Sequence, residues 1–288
     1  MASASAACGV DLVVQAPDID TPALKTLARI AGARDIVALT RAGTQAFRLS
    51  GDERRDAVAA FCLEAGLDFA FVPRDRRLDR VRLVAFDMDS TLITIECIDE
   101  IADMQGIKPE ISAVTARAMR GEIDFRESLE RRVELLRGLP VEALERVYGQ
   151  RLVLSPGAER MLAGFRRAGA HALLVSGGFT FFTDRLKERL GIDHTAASVL
   201  EIVDGRLTGR LSGEIVDGVV KARAFARLRD NLCGGDGIAV AIGDGANDLP
   251  MLRLADVSVA YRAKPAVRAE ATHAIDHCGL DAALNLFA

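Results

Sequence analysis

The sequence predicts an α/β protein in two parts: a small βαββαβ unit over residues 1–78 and a larger domain over 79–288. Three observations carry this. From residue 81 onward, short apolar strands alternate with helix-spaced apolar runs, the pattern of a parallel sheet wrapped by helices on both faces. After the first of those strands, residues 97–150 read as helical almost throughout, so the larger domain divides into a core (79–96 and 151–288) and an inserted helical cap. The first 72 residues follow another order, strand, helix, strand, strand, helix, strand, which is the split βαβ arrangement. A length of 288 residues with 50% hydrophobic side chains provides for two such cores.

Each element has a local reason. VDLVVQ (10–15) is a short apolar strand, and Asp20 or Thr21 then caps a helix carrying Leu24, Leu27, Ala28 and Ala31 at helical spacing. DIVALT (35–40) and TQAFRL (44–49) flank Arg41-Ala42-Gly43 as a hairpin. Asp52 or Glu53 opens a second helix through Ala65, Gly66 stops it, and LDFAFV (67–72) is the last strand of the unit. Residues 73–80, PRDRRLDR, form a solvated linker, because Asp75 and Asp79 interrupt the Arg run. VRLVAFD (81–87) is an apolar strand ending in an acid. Pro109, Gly121, Gly138 and Pro140 punctuate the helical block that follows. Strands return at 170–176, 194–203 and 237–243, with helices around 157–168, 179–190 and 219–232. Asp204-Gly205 marks a further hairpin.

Composition excludes several function classes. The formal charge of −4, from 37 basic and 41 acidic residues, argues against nucleic acid as a partner. No Trp, two Tyr and 5% aromatics leave no stacking surface for bases. No stretch approaches the roughly 18 uninterrupted apolar residues of a membrane span. MASASAACGVDLVV lacks a basic start and is interrupted by Asp11, so no cleaved signal is expected. Five scattered cysteines without a CxxC pair read as reduced, mostly buried thiols. The expectation is a cytoplasmic protein acting on a small molecule, with no nucleic acid and no membrane. The N-terminal unit reads as a packing or dimerisation module at least as readily as a ligand sensor.

In open α/β sheets, sites form at the carboxyl ends of strands, and three predicted strands end at Asp87, Ser176 and Asp244. Asp87-Met88-Asp89-Ser90-Thr91 places two carboxylates two residues apart beyond a strand. One can hold a hard cation or attack an electrophile while the other moves a proton; alternatively the pair is a cap and a turn residue. Ser176-Gly177-Gly178 offers a hydroxyl and uncrowded N–H groups, which is either a phosphate cradle or an ordinary turn. Lys221 is one of five lysines among 37 basic residues, and its compact ammonium suits neutralising a nucleophile or a phosphoryl group. Gly243-Asp244-Gly245-Ala246-Asn247-Asp248 supplies two acids among small residues, which suits Mg²⁺ held by carboxylates and waters. It is not a dinucleotide fingerprint, since Asp248 stands where the last glycine is required.

Taken in this order, DxDST, SGG, Lys221 and GDGAND resemble the four signature motifs of the haloacid dehalogenase (HAD) superfamily of aspartyl phosphotransferases, over roughly residues 81–280. FDMDSTLI (86–93), ECIDEIA (96–102), FRESLERRV (125–133), VSGGF (175–179) and GDGANDLPM (243–251) resemble more closely its phosphoserine phosphatase family. The resemblance implies a HAD-like Rossmannoid parallel sheet with a small helical (C1-type) cap; the N-terminal unit resembles the ACT-like fold of regulatory domains. It implies that Asp87 is the nucleophile, forming an aspartyl-phosphate, and that Asp89 is the general acid and base. Mg²⁺ would sit on the Asp87 carboxylate, the Asp89 backbone carbonyl and Asp244, with Asp248 orienting bound water. Ser176, Gly177, Lys221 and Asn247 would bind phosphoryl oxygens, Glu96 the substrate ammonium and Arg132 its carboxylate, while Met119 and Phe125 line the pocket. The implied reaction converts O-phospho-L-serine to L-serine and inorganic phosphate, the last step of L-serine biosynthesis, in a chain that can form a homodimer through its N-terminal domain. Three rivals stand beside it. Another small-molecule phosphatase or phosphotransferase of the superfamily would carry the same core motifs. An inactive serine-sensing protein is opposed by the intact Asp87, Asp89, Lys221 and Asp244. A dinucleotide-dependent oxidoreductase lacks its glycine fingerprint.

Overall fold

A computed structural model describes residues 9–51 and 54–288. The N-terminal part runs β1 (Val10–Ala16), α1 (Thr21–Ile30), β2 (Asp35–Leu39), β3 (Gln45–Ser50), α2 (Arg55–Ala65) and β4 (Asp68–Pro73). Its antiparallel sheet has the order β2-β3-β1-β4, with Val13 opposite Arg48 on one side and Ala70 on the other. Asp20 caps α1 by accepting from the Ala23 N–H at 2.6 Å, and Gly66 ends α2 in the left-handed region at φ 65°. The caps expected at 52 and 53 lie outside the described residues. β1 is buried on both faces. Leu12, Val14 and Ala16 pack against α1 and α2, whereas Val13 joins Ala70 and Val72 in the cluster that contains the larger sheet's core.

The second sheet begins with β5 (Val81–Phe86). The cap follows as α3 (Cys97–Gln105), α4 (Lys108–Met119), α5 (Phe125–Glu134) and α6 (Glu142–Gln150). The core then continues with α7 (Ala158–Arg167), β6 (His171–Phe179), α8 (Thr180–Leu190), β7 (His194–Val203), β8 (Arg206–Ser212), α9 (Gly218–Leu232) and β9 (Ile238–Gly243). α10 (Leu249–Leu252), β10 (Val257–Tyr261), α11 (Pro265–Glu270) and β11 (His273–Ile275) complete it. The strand order is β11-β10-β9-β5-β6-β7-β8, parallel except for the β7–β8 hairpin. That hairpin turns at Asp204 and Gly205, with φ 49° and 72°, the positive values a two-residue hairpin turn demands. Alternate residues of the central strands face opposite layers. Val84, Phe86, Leu174, Val240 and Ile242 belong to one hydrophobic cluster; Leu83, Ala85, Leu173, Val175 and Ala241 belong to the other, with Val220 and Phe225 of α9.

The structure differs from the sequence reading in two places. β10 and β11 extend the sheet beyond the strands that the apolar pattern marks. Ser176-Gly177-Gly178 also lies inside β6 rather than in a turn after it. Between Ser176 and Phe179 the pairing with β7 advances by three residues on β6 but only one on β7, from Ala197 to Ser198. The glycines therefore form a bulge, which re-aims the chain without ending the strand.

The cap is tied to the core on two sides. The linkers on either side of it pair with each other: Thr94 N–H donates to Val153 O and Ser155 N–H to Leu92 O, both at 2.9 Å. On the far side, the cap loop after α5 is bonded to the β7–β8 hairpin. Gly138 N–H donates to Leu207 O at 2.8 Å, Leu207 N–H to Leu139 O at 2.8 Å, and Val141 N–H to Gly205 O at 2.9 Å. A buried 3-10 segment of about two turns, Leu280–Leu286, lies between the two sheets. Asn285 donates to Gln15 at 2.9 Å, Arg41 and Arg48 both donate to Phe287 O, and Asp68 accepts from the N–H groups of Asp276, His277 and Cys278.

Candidate active site

β9, β5 and β6 are neighbours in the sheet, so their carboxyl ends bring Asp244, Asp87 and the Ser176–Gly178 bulge to one rim. Lys221 reaches the same point from the first turn of α9 and is fully buried. Its Nζ lies 2.8 Å from Asp87 Oδ1 and 2.7 Å from Asp248 Oδ1. Burial alone would favour neutral lysine, but Asp248 and Asp87 outweigh it and hold the ammonium above its ordinary range. Asp87 Oδ1 also accepts from Met88 N–H at 2.7 Å. Burial and the neighbouring Asp248 nevertheless push the Asp87 carboxyl well above the usual range, with Lys221 opposing them. Asp244, which accepts from the Thr91 hydroxyl at 3.0 Å, is pushed up to about 6 by burial and Asp248.

Asp89 lies against the bulge at Gly178. A Cβ on Gly178 would come within 3.0 Å of Asp89 Oδ2 and 3.1 Å of Ser176 Oγ, so only glycine lets these groups approach. Burial and Glu96 push Asp89 up to about 7, while the Cys97 N–H, 3.2 Å from Oδ1, works the other way. The turn that carries Asp89 is tight. Ser90 adopts φ 55°, sparsely populated for a residue with a Cβ, and its hydroxyl donates to Glu96 Oε1 at 2.7 Å. Arg132 faces Asp99, Glu96 and Asp89, and its Nε donates to Ser128 O at 3.3 Å. Its two terminal nitrogens have no hydrogen-bond partner among the described residues.

The cap reaches this rim through Phe125, whose Cζ would lie 2.8 Å from a Cβ on Gly177. Asn247 closes the opposite end, with its side-chain oxygen against Gly245 and its carbonyl against Gly218 at the start of α9. Met119 is not brought into the cluster; it ends α4 with 73% of its surface exposed. Thr91, Ser90 and Cys97 hold the functional carboxylates and were not singled out from the sequence, although Ser90 and Thr91 complete DxDST. Asp217, whose Oδ1 accepts from Val219 and Val220 N–H and so caps the helix of Lys221, carried a signal: an acid four residues before a lysine at a helix start.

Asp87, Asp244 and Asp248 present carboxylate oxygens within 4.8 Å of one another. The set is all oxygen and mostly buried, with Lys221 as the ammonium in contact with it, which fits a hard divalent cation. Asp248 spends one oxygen on Lys221 and the other on Gly245 N–H at 3.0 Å. Asp87 and Asp244 thus have the oxygens to spare.

Residues 84–253 match the model of the haloacid dehalogenase-like hydrolases, and residues 12–58 match a domain family of unknown function. A curated phosphoserine phosphatase of Polaromonas sp. is 51% identical over 78% of this chain and 97% of that protein. The crystal structure of a probable phosphoserine phosphatase of Vibrio cholerae, unliganded, superposes with a TM-score of 0.84 at 34% identity, covering 96% of this chain and 85% of that one. A phospho-aspartyl intermediate analogue of phosphoserine phosphatase matches at 35% identity and a TM-score of 0.66, over 72% of this chain and 99% of that one. An N-terminal antiparallel sheet with two helices, a parallel sheet with a helical insertion, and three acids around a buried lysine at its rim agree with these matches: the chain belongs to the haloacid dehalogenase-like hydrolases and, within them, to the phosphoserine phosphatases.

Proposed function

We propose that this chain is a Mg²⁺-dependent phosphatase that hydrolyses O-phospho-L-serine to L-serine and inorganic phosphate. The observation that carries the reading is the pairing of two recognition zones. Lys221, Ser176 and the Gly177–Gly178 bulge gather at the rim beside Asp87, where they can form a cradle for phosphate. Glu96 and Arg132, an anion and a cation with unspent donors, lie beside Asp89 on the cap side. A phosphorylated amino acid needs both. Asp87 attacks phosphorus in line, forming the P–O bond of an aspartyl-phosphate as the bond to the serine oxygen breaks, and Asp89 gives its proton to that oxygen. Asp89 then takes a proton from water as it attacks phosphorus, and the Asp87–phosphorus bond breaks to release phosphate. Burial, with Glu96 beside it, pushes Asp89 up to about 7, so a protonated form is available near neutral pH for the first step. Lys221, the Ser176 hydroxyl, the Gly177 N–H and the Asn247 amide hold the phosphoryl oxygens. The cation would be held by Asp87, Asp244 and the Asp89 carbonyl, with Asp248 behind them, and would neutralise charge on the phosphoryl group. Phe125 screens the cradle from water, and Met119 would join it only with the cap drawn further in. The test is phosphate release from a panel of phosphorylated amino acids, sugar phosphates and an aryl phosphate, with Mg²⁺ and with chelator. Phosphoserine is expected to be preferred and chelation to abolish turnover; preference for a sugar phosphate removes the substrate assignment.

Three further readings accompany this. The division into residues 1–78 and 79–288 is supported by the separate sheets. A homodimer through the N-terminal unit is supported by β2, an edge strand exposing Ile36 and Val37. A cytoplasmic location is in keeping with Cys62, Cys97, Cys233 and Cys278, all unpaired. Among the described residues no helix is long and apolar enough to cross a membrane.

A further inference from the structure

We propose that the ion pair between Arg126 and Asp217 is a gauge for substrate length, positioning the cap's Arg132 at a set separation from Lys221. The inference rests on the phosphoserine reading and adds a specificity determinant to it. Arg126 Nη2 of α5 lies 3.1 Å from Asp217 Oδ2 at the start of α9, joining positions 91 apart in sequence. Both ends of this link are rigid. Asp124 caps α5 by accepting from Glu127 N–H at 2.8 Å. Asp217 caps α9 with its other oxygen, accepting from Val219 and Val220 N–H at 3.0 Å each, and its carbonyl accepts from Lys221 N–H at 2.9 Å. The pair therefore joins two helix starts, one turn from Lys221 on one side and six residues from Arg132 on the other, about 9 Å along the helix axis. Phe125, next to Arg126, lies close enough to Gly177 that a Cβ there would meet its ring at 2.8 Å, so α5 already approaches the bulge. An ion pair with one partner 47% and the other 25% exposed adds little to stability. Its effect is on register: with the phosphate fixed at Lys221, the position of α5 decides where the substrate carboxylate must stand to meet Arg132. Arg126 and Asp217 are positioning residues and touch no reacting atom.

The experiment uses the full chain with Mg²⁺ and three substrates: phosphoserine, the one-carbon-longer phosphohomoserine, and p-nitrophenyl phosphate, which lacks ammonium and carboxylate. Arg126→Ala and Asp217→Asn are each expected to raise KM for phosphoserine about tenfold, the scale of a small misplacement, with kcat within about twofold. Asn still caps α9, so this variant tests the ion pair without removing the helix start. Preference for phosphoserine over phosphohomoserine should shrink, p-nitrophenyl phosphate should be unaffected, and Arg126→Lys should recover part of the loss. Combining Arg126→Ala with Asp217→Asn should cost no more than either alone, because both break one link. Equal losses on all three substrates, or additive losses in the double variant, would overturn the proposal. A wild-type chain that cleaves p-nitrophenyl phosphate but not phosphoserine overturns the phosphoserine reading itself and this proposal with it.

Discussion

Arg132 shows how a residue's meaning changes between sequence and structure. Within RESLERR it is one charge in a solvated run, and only resemblance to a family raises it above its neighbours. In the fold it turns toward Glu96, Asp99 and Asp89, and burial makes its charge costlier than that of an exposed arginine. Replacing it by Lys keeps the charge and removes the planar fork. That change should lower kcat/KM for phosphoserine by roughly ten- to a hundredfold, the loss of one charge-assisted bidentate contact, and lower it far less for an aryl phosphate. Steady-state kinetics on the two substrates decides this; equal losses would assign Arg132 to the fold. Asp87, Asp89 and Asp244 were legible for a physical reason: acids at the ends of apolar strands share one rim in a parallel sheet. Lys221, at a helix start, was legible only from its scarcity and its order between the SGG and GDGAND motifs. Thr91, Ser90 and Cys97 were not, since small polar side chains next to acids look like ordinary turn residues until their partners are known.

At the scale of elements, most strands with clean alternation or dense apolar content were readable to within a residue or two, although β6 runs on three residues further to Phe179 and the apolar β10 went unmarked. β11 was not: three residues, His273–Ile275, carry no period, and only parallel pairing with β10 makes them a strand. The bulge in β6 was read as a turn because two consecutive glycines signal chain reversal as strongly as they signal a bulge. β2 carries the element-scale prediction. Its Ile36 and Val37 are 45% and 57% exposed on an edge that offers unpaired backbone groups. If two copies pair there, Ile36→Lys should turn a dimer into a monomer in light scattering without loss of secondary structure. An unchanged mass would place any self-association elsewhere.

Across the whole molecule, the N-terminal sheet is less separable than its boundaries in sequence suggest. Val13, Ala70 and Val72 share one core cluster with Leu284, Leu286 and Phe287, and no pattern in the first 72 residues says that the second face of β1 is covered. The linker is part of this interface: Arg76 Nη1 lies 2.6 Å from His273 Nε2, and burial, helped by Arg76, pushes His273 down to about 3. The unfolded chain takes up that proton below its ordinary value of 6.5, whereas the folded chain resists it until about 3. Stability should therefore be full above pH 6.5 and fall as pH drops, at no more than about 1.4 kcal/mol per pH unit from this group. Urea unfolding across that range, with His273→Asn as control, measures it; parallel pH dependences would remove His273 as the cause. One shared core also leads us to expect a single transition rather than one for each sheet.

The three backbone hydrogen bonds joining the cap loop at Gly138–Val141 to the β7–β8 hairpin amount to a built-in clock. If admitting a substrate beneath Phe125 swings the cap, this seam must part or be carried along. The amides of Gly138, Val141 and Leu207 would then exchange with solvent at the frequency of that swing, whereas amides inside α5 would report only local fraying. Inorganic phosphate held in the cradle should slow those three clocks together. If it slows none of them, the hairpin travels with the cap, and the moving part of this enzyme is larger than its inserted helices.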